Sequence, residues 1–385
     1  MAYQRYDFII AGMGCAGLSL AVQLSRAGLT KNKRILLVDR EHKDTNNRTW
    51  CFWETEAGFF EDIVYHSWDK AWFHSSKFST LLELAPYRYK MIRGIDFYAF
   101  CMKQIAEDPS FEILHTDVTS VGTVNGEAVC ETTNGRYTAP VIFNSIIFKK
   151  PVIKQGEYFL LQHFKGWVIR THEPAFDPLQ ATLMDFRPHQ QHGTTFVYVM
   201  PFSTSEALIE YTLFTSSVLE ESDYREGLSN YIDETLKIKN WVIEEEEYGV
   251  IPMTNFRFNR REGSVMNIGT AGGMTKASSG YTFRFIQKDC AAIVESIQRS
   301  GSPFNTSWNP GRFHWYDSVL LNILSKGVIK GDSIFTDLFQ QNEPEKILKF
   351  LDNETSIAEE IRILWSLPQW PFMKAGFSEG LKRLV

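Results

Sequence analysis

The first forty residues carry a clear pattern of hydrophobic and polar positions. Residues 6–11 form a short apolar run, which three spaced glycines follow, and this combination predicts a buried strand that enters a tight turn. An apolar pattern to about residue 27 predicts a helix, and residues 34–38 predict a second strand that ends on Asp39. Residues 6–24 approach the roughly 20 residues that span a bilayer, but Asp7 and the glycines favour a strand, a turn and a helix. We therefore expect a βαβ unit.

Further along, strand-like and helical patterns follow one another. A polar stretch over residues 41–50 interrupts the βαβ pattern, and residues 94–107 have the periodicity of an amphipathic helix. Asn125-Gly126 and Asn134-Gly135 are typical of hairpin turns. Residues 158–213 and 265–269 are strand-like, whereas residues 219–239, about 281–299 and those from 312 onward are helical in pattern.

Gly12, Gly14 and Gly17 give the spacing G-x-G-x-x-G between the first predicted strand and the first predicted helix. Asp39 follows about twenty residues later at a strand end, which is the context that dinucleotide-binding folds require. Gly12 permits the tight turn, Gly14 lets the backbone approach a pyrophosphate, and Gly17 lets helix and strand pack closely. We expect the helix N-terminus to bind the phosphates and Asp39 to bind the adenosine ribose hydroxyls.

A second glycine-rich turn, with Gly269, Gly272 and Gly273, lies between a predicted strand and a helix late in the chain. Such a turn is typical of flavin proteins, in which it closes over the ribityl chain and the isoalloxazine, so the cofactor we expect is FAD. Many such proteins place Asp after the first glycine, where this chain has Thr270. This departure weakens the interpretation as a general oxidoreductase.

These patterns together predict an α/β fold in which a Rossmann-type FAD-binding βαβ domain is interleaved with an antiparallel-sheet substrate domain and followed by a helical C-terminal region. We expect residues 1–150 to form the first part of the FAD-binding domain, with inserted elements from about residue 45. Residues 151–255 are then the β-rich substrate domain and residues 256–300 the second part of the FAD-binding domain. Residues 301–385 are the helical region.

Composition and charge limit the classes of function that this protein can have. The net charge of −6 and the pI of about 5.9 provide no basic surface for nucleic acid. The five cysteines are scattered and form no C-x-x-C pair, and His189 and His192 stand without partners of the right type, so we expect no metal site and a reducing compartment. Aromatic residues reach 14%, which indicates either a large core or a broad apolar cavity or membrane-contacting face.

Several ordered motifs resemble those of the bacterial lycopene cyclases. They are N-R-T-W-C-F-W at residues 47–53, Q-H-F-K-G-W at 162–167, M-D-F at 184–186, G-V-I-P-M-T at 249–254, G-T-A-G-G-M-T-K at 269–276 and G-Y-T-F at 280–283. The resemblance implies an isomerase that needs reduced FAD, with NAD(P)H as electron source and Arg48 among the cofactor-binding residues. It also implies an acyclic carotenoid substrate such as lycopene, and a cytoplasmic enzyme that is peripheral on the inner face of the cell membrane.

The run L-I-E-Y-T at residues 208–212 is similar to the short acidic element of that family, whose first acid is the expected proton donor. Glu210 keeps this acid, and Tyr211 replaces the second one, so we expect a single carboxyl at this site. Protonating an alkene requires a carboxylic acid that stays neutral, and burial raises the pKa of such a group. Asp185 is the next candidate if Glu210 is not the donor. The acidic run at residues 244–247 is expected to be a solvated face or strand edge.

Aromatic residues offer two further expectations. Trp50, Trp53, Phe164 and Trp167 are candidates for stabilising a carbocation through their ring faces, although each is also a typical core residue. The segment over residues 365–374 combines Trp and Phe with Lys, which is typical either of a contact with lipid headgroups or of a docked terminal helix.

Two other classes of protein remain as alternatives on the same fold. A redox flavoprotein, such as an NADPH-dependent hydroxylase or a prenyl reductase, would change the mass of its substrate. A non-catalytic nucleotide-binding or carrier protein would have no need for Glu210. Thr270 and the R-T-W-C-F-W motif favour the cyclase.

Overall fold

The structure, a computed structural model, describes residues 4–306 and 311–382. In chain order the strands are β1 (Gln4–Arg5), β2 (Phe8–Ala11), β3 (Ile35–Asp39), β4 (Thr49–Glu54), β5 (His66–Trp68), β6 (Lys70–His74), β7 (Ser79–Glu83), β8 (Arg88–Arg93), β9 (Phe111–His115), β10 (Val118–Val124), β11 (Glu127–Thr132), β12 (Gly135–Ala139), β13 (Val141–Asn144), β14 (Phe159–Thr171), β15 (Gln180–Asp185), β16 (Thr194–Pro201), β17 (Glu206–Thr215), β18 (Trp241–Thr254), β19 (Arg261–Glu262) and β20 (Val265–Asn267). The α-helices are α1 (Cys15–Arg26), α2 (Gly94–Ala106), α3 (Glu221–Asn230), α4 (Phe283–Ser300), α5 (Gly311–Ser325), α6 (Gly331–Gln341), α7 (Pro344–Leu351), α8 (Ile357–Ser366) and α9 (Gln369–Leu381).

A six-stranded sheet in the order β19-β20-β13-β2-β3-β9 forms the first layer, the parallel sheet, and all its pairs are parallel except β19–β20. Strand β2 is buried on both faces. Phe8 and Ile10 pack toward α1, α2 and α4, whereas Ile9 and Ala11 pack toward the sheet of β10, β11 and β12. The predicted βαβ unit is therefore present as β2, α1 and β3, and the late strand β20 and helix α4 complete the same layer.

A seven-stranded sheet in the order β18-β14-β17-β16-β15-β6-β7 forms the second layer, and its pairs are antiparallel except β15–β6. Alternation along β17 gives this sheet two different faces. Leu208 and Phe214 point to the inner face, where α5–α9 pack, while Ile209 and Leu213 point to the outer face beside α3. The inner face is the one that adjoins the parallel sheet.

The mixed α/β fold with interleaved layers and a helical C-terminal region confirms the predicted fold class. The helix predicted over residues 219–239 is wrong in its second half. Helix α3 ends at Asn230, a π-helical turn continues to Thr235, and Lys237 adopts a left-handed φ of 59° that ends the helical path. None of the described helices combines the length and the apolar character that crossing a bilayer requires.

Candidate active site

The first glycine turn is shaped by close backbone contacts. Gly12 has a φ of +94°, and a Cβ on Gly17 would lie 1.9 Å from the Gly12 carbonyl oxygen, so neither position accepts a side chain. A Cβ on Gly14, in contrast, would meet no atom within 4 Å. Gly14 is the N-cap residue of α1, which has no side-chain cap, and with Cys15 and Ala16 it lines the main cavity. The N-terminal amides of α1 therefore face open space.

The second glycine turn packs directly against the first. Gly269 has a φ of +58° and a Cβ there would lie 2.7 Å from the Cβ of Ala16, so the two turns share one wall of the cavity. Gly272 and Gly273 do not line this cavity. A Cβ on Gly272 would lie 2.4 Å from the Asn267 carbonyl oxygen, and Gly273 ends the turn in the left-handed region. Gly272 and Gly273 therefore set the backbone path of the turn and do not form part of the cavity wall.

Asp39 ends β3 at the position expected, where its carboxylate accepts a hydrogen bond from the Met13 backbone N–H at 2.6 Å and forms an ion pair with Lys43 at 3.2 Å. Lys43 and Glu41, which follow it, line the cavity. Arg48 is exposed at the cavity wall and donates to the Tyr248 carbonyl oxygen at 3.3 Å. The structure thus places Asp39 behind the first glycine turn and Arg48 on the wall of the cavity.

One cavity of about 510 Å³ joins the glycine turns to the inner face of the seven-stranded sheet. At one end it is lined by Gly14, Cys15, Ala16, Gly269 and Thr270. At the other end it is lined by Cys51, Tyr89, Gln162, Phe164, Tyr198, Met200, Glu210 and Tyr281. Glu210 and the two glycine turns therefore open into the same space.

Glu210 lies on β17 with its side chain on the inner face and 8% of its surface exposed. Thr212, two residues along the same face, donates a hydrogen bond from Oγ1 to Glu210 Oε1 at 2.8 Å. Tyr198 on β16 is its register partner on one side, and Gly166 on β14 is its partner on the other. The carboxyl group is thus held on the sheet at the end of the cavity away from the glycine turns.

A second carboxyl group, Glu247 on β18, lies beside Glu210. Gly166 is the register partner of both residues, so Glu210, Gly166 and Glu247 form one row across three strands. Gly166 has no side chain to separate them, and a Cβ there would lie 2.9 Å from Glu247 Cγ. Thr49 donates to Glu247 Oε2 at 2.8 Å, whereas the buried Oε1, which lies toward Gly166, has no hydrogen-bond partner within the described residues.

Burial raises the pKa of Glu210 well above its ordinary value, and the neighbouring Glu247 carboxyl raises it further. Burial also raises the pKa of Glu247, which the hydrogen bond from Thr49 and the charge of Arg48 oppose. The two carboxyl groups are therefore arranged to retain a proton, and Glu210 binds it more strongly than Glu247 does.

This pair corrects two expectations. The site has two carboxyl groups instead of one, because the sheet register supplies the second acid that the L-I-E-Y-T run lacks. The acidic run at residues 244–247 is a solvated edge only in part, since alternation turns Glu247 inward while Glu244 pairs with Arg170 on the surface. Tyr211 points to the outer face and packs on α3 at Gly227, where a Cβ would lie 2.6 Å from its ring.

The other predicted residues divide between cavity and core. Trp50 and Phe164 line the cavity. Trp53 is buried edge-on against Tyr281 with ring centroids 4.6 Å apart, and Trp167 lies on the outer face, away from Glu210. Alternation along β14 explains this difference, because residues 164 and 167 are an odd number of positions apart.

Asp185 does not face the cavity. Its carboxyl group is fully buried and accepts hydrogen bonds from Arg187 Nε at 2.9 Å and from the Tyr231 hydroxyl at 2.7 Å, so its oxygens are engaged away from the cavity. Among residues 4–306 and 311–382, no three His, Cys, Asp or Glu side chains are grouped closely enough to hold a metal ion.

Sequence reasoning missed the tyrosines around Glu210. Tyr89, Tyr198 and Tyr281 surround the inner end of the cavity, and burial raises the pKa of each phenol, so all three are neutral hydroxyls. Tyr281 belongs to the G-Y-T-F motif, and Tyr198 follows from the alternation of β16. The G-Y-T-F motif could have identified Tyr281, and the alternation along β16 could have identified Tyr198.

The C-terminal helices α8 and α9 each have a docked face and an exposed apolar face. On α9, Ala375 and Gly376 are buried, whereas Trp370 is 76% and Phe377 72% exposed. On α8, Trp365 is 70% exposed. The exposed set, which we call the apolar stripe, comprises Ile357, Ile361, Trp365, Trp370, Met373, Phe377 and Leu381. Helix α9 is therefore docked on the protein through one face, and the apolar stripe remains exposed on α8 and α9.

The interleaved architecture is that of flavoproteins. The chain is similar to the structure of a flavoprotein/dehydrogenase from Cytophaga hutchinsonii, with a TM-score of 0.64 and 10% identity over 99% of this chain and 100% of that one. It is also similar to a geranylgeranyl bacteriochlorophyll reductase-like protein from Thermoplasma acidophilum, with a TM-score of 0.61 and 13% identity over 100% and 99% of the two chains. At these identities the likeness shows the fold.

The family follows from the sequence comparison. The family described as lycopene cyclase protein matches residues 7–376, and the chain therefore belongs to the lycopene cyclase family. The lycopene beta-cyclase of Pantoea ananas is 22% identical over 96% of this chain and 97% of its own length.

Proposed function

We propose that this protein is a lycopene β-cyclase-like isomerase that closes rings at the ψ-ends of an acyclic carotenoid, with FAD as cofactor and no net redox change. The observation that supports this most directly is the single cavity that joins the glycine turns to the buried Glu210 carboxyl. The family relatives that bear the name lycopene beta-cyclase support the substrate class.

The residues present fit FAD. The uncapped N-terminus of α1 and the free space above Gly14 suit a pyrophosphate, and Gly269 brings the second turn within contact of the first. Asp39 and Arg48 are the proposed partners of the ribose and of the cofactor at the cavity wall. Reduced flavin, for which NAD(P)H is the proposed electron source, supplies negative charge near a developing carbocation.

Glu210 is the proposed proton donor. Its proton moves to a terminal double bond of the polyene, whose electron pair forms the new C–H bond and leaves a tertiary cation. The neighbouring alkene attacks this cation and closes a six-membered ring, and loss of a ring proton to a base gives a β-ring without any change in mass. A neutral carboxyl in a dry site is needed because an alkene is a very weak base.

The aromatic lining has a role that follows from its charge distribution. Phe164 and Tyr281 present rings to the cavity near Glu210, and ring faces attract a cation by up to about 2 kcal/mol in a desolvated site. The inner end of the cavity also has few groups that could capture a cation as a nucleophile, because the buried phenols and the Cys51 thiol, whose pKa burial raises, are neutral.

We further propose that the apolar stripe contacts the cytoplasmic membrane on its inner face. Trp365, Trp370 and Phe377 are more than two-thirds exposed, which is costly in water and typical of residues that enter the lipid interface. Lys374, exposed on the same face of α9, suits anionic headgroups. A carotenoid hydrocarbon dissolves in the bilayer, so a membrane-bound enzyme meets its substrate there.

Expression in cells that accumulate lycopene tests the proposed function. We expect cyclic pigments with the same mass as lycopene, separated by chromatography and measured by mass spectrometry. A product whose mass differs by oxygen or hydrogen, with net consumption of nicotinamide, would instead identify a redox flavoprotein. Unchanged lycopene with a protein that binds FAD would contradict the cyclase proposal.

A further inference from the structure

The Glu210–Glu247 pair depends on a gap in the middle of the seven-stranded sheet. Neighbouring strands lie about 4.8 Å apart, so the Cα atoms of the two glutamates, one strand removed from each other, are separated by roughly 10 Å. Two extended glutamate side chains can meet over this distance only if nothing projects between them. Gly166 provides that opening, and any β-carbon at this position would contact both Glu247 and Leu208 at 3.1 Å or less.

We propose that Glu247 is a positioning residue for the proton of Glu210: its Oε1 accepts the hydrogen bond of the protonated Glu210 carboxyl, and its own charge keeps Glu210 from ionising. This inference rests on the proposed function for its catalytic meaning. Glu247 does not line the cavity, so it acts through Glu210 and not on the substrate.

The physical reason is the cost of two negative charges in one dry site. Two carboxylates in contact cannot both ionise, so one proton stays bound between them up to a pH at which a lone carboxyl would be ionised. Thr49 and Arg48 favour the anion on Glu247, whereas Glu210 lies deeper at the tyrosine-lined end of the cavity. The proton is therefore kept on the carboxyl that faces the polyene.

The surrounding charges leave this arrangement intact. The groups that face the pair from the other elements are Arg48 before β4, Cys51 on β4, Tyr89 on β8, Tyr198 on β16, Glu245 on β18 and Tyr281 before α4. Arg48 is the cation among them, and it acts on Glu247. Burial raises the pKa of the thiol and of the three phenols, so none of these groups carries a charge near neutral pH.

The pH dependence of turnover in the FAD-loaded enzyme tests the proposal. In the wild type, activity should fall as pH rises and Glu210 loses its proton. In Glu247→Gln this fall should move to lower pH by at least one unit, so that turnover is about tenfold below wild type on the alkaline side of both falls and within a few-fold of it on the acidic side. Glu247→Asp should retain most of the wild-type profile, and Glu244→Gln, whose carboxyl pairs with Arg170 at the surface, should retain all of it.

A loss of activity by the same factor at every pH would show that Glu247 has only a structural role, and the proposal would be wrong. Gly166→Ala gives a second variant. Its β-carbon pushes the Glu247 carboxyl aside, so it should move the pH profile in the same direction as Glu247→Gln.

An infrared measurement separates this inference from the proposed function. The C=O stretch of a protonated carboxyl, assigned to Glu210 by its absence in Glu210→Gln, can be followed against pH in the FAD-bound protein without substrate. We expect it to disappear at a lower pH in Glu247→Gln than in wild type. If the band shifts but no lycopene is cyclised, the pair is real and the function is wrong. If cyclisation occurs and the band does not shift, the inference about Glu247 is wrong.

Discussion

Replacing Glu210 by Gln should remove most of the cyclase activity and, at the same time, make the folded protein more stable above about pH 5. The amide keeps the shape of the carboxyl group, can still accept the hydrogen bond of Thr212 and can donate one to Glu247 Oε1. It has no proton to give to an alkene. A positioned general acid contributes about 10²- to 10⁴-fold in rate, so we expect a loss of at least 100-fold.

The stability gain follows from the raised pKa of Glu210. An unfolded glutamate releases its proton near pH 4.3, whereas the folded protein retains it, so the folded state binds more protons above that pH. The free energy of unfolding of the wild type therefore falls by about 1.4 kcal/mol for each pH unit until the folded group also ionises. The free energy of unfolding of the variant should therefore exceed that of the wild type by almost nothing near pH 4, and by an amount that grows with pH until the folded Glu210 ionises.

Both effects can be measured on the same preparations. Anaerobic turnover of lycopene in vesicles with reduced FAD gives the rate, and thermal or urea unfolding between pH 4 and pH 8 gives the stability. Tyr211→Phe is the control, because Tyr211 faces the other side of the sheet and should affect turnover only modestly. Glu210→Gln with near wild-type turnover, or with the same stability difference at every pH, would refute the reasoning.

Three further predictions concern the cofactor and the membrane. Gly14→Val should give protein that folds but shows no flavin absorbance, because the side chain fills the space above the turn, whereas Gly122→Val, at another open glycine on β10, should retain FAD. Reduced FAD should support many turnovers after a single chemical reduction, and one oxidation per product, followed by flavin absorbance, would contradict this. Replacing Trp370 and Phe377 by Ser should weaken sedimentation with anionic vesicles at least tenfold, while Leu179→Ser, with 73% exposure elsewhere, should not.

The glycine turn beside the cavity could be predicted because its signals are local. The spacing of Gly12, Gly14 and Gly17, together with Asp39, belongs to one βαβ unit, and the structure leaves no room for a side chain at Gly12 and Gly17. Glu210 could be predicted because a short motif surrounds it. The expected fold class was confirmed on the same basis, since the order of strand-like and helical segments constrains the layers.

The Glu247 contact could not be predicted because it depends on strand register. Glu210 and Glu247 are 37 positions apart in the sequence, and they meet only because both pair with Gly166. A shift of one residue would turn either side chain to the opposite face. The same uncertainty explains Trp167, which shares a motif with Phe164 and lies on the other side of the sheet. A sequence motif identifies candidate residues, whereas the register of the strands determines which side chains lie next to each other.

The parallel sheet has a consequence for how the chain folds during synthesis. Its strand β20 pairs with β13 more than one hundred residues earlier, and α4 packs against α1 although the whole seven-stranded sheet lies between them in the sequence. Gly14 and Gly269, which together form one wall of the cavity, therefore cannot meet until the ribosome has released most of the chain. A nascent chain that ends before β20 exposes the edge of β13 and lacks half of this cavity wall. Completion of the cavity is accordingly a late event in folding, and a chaperone that shields this sheet edge should increase the yield of folded protein.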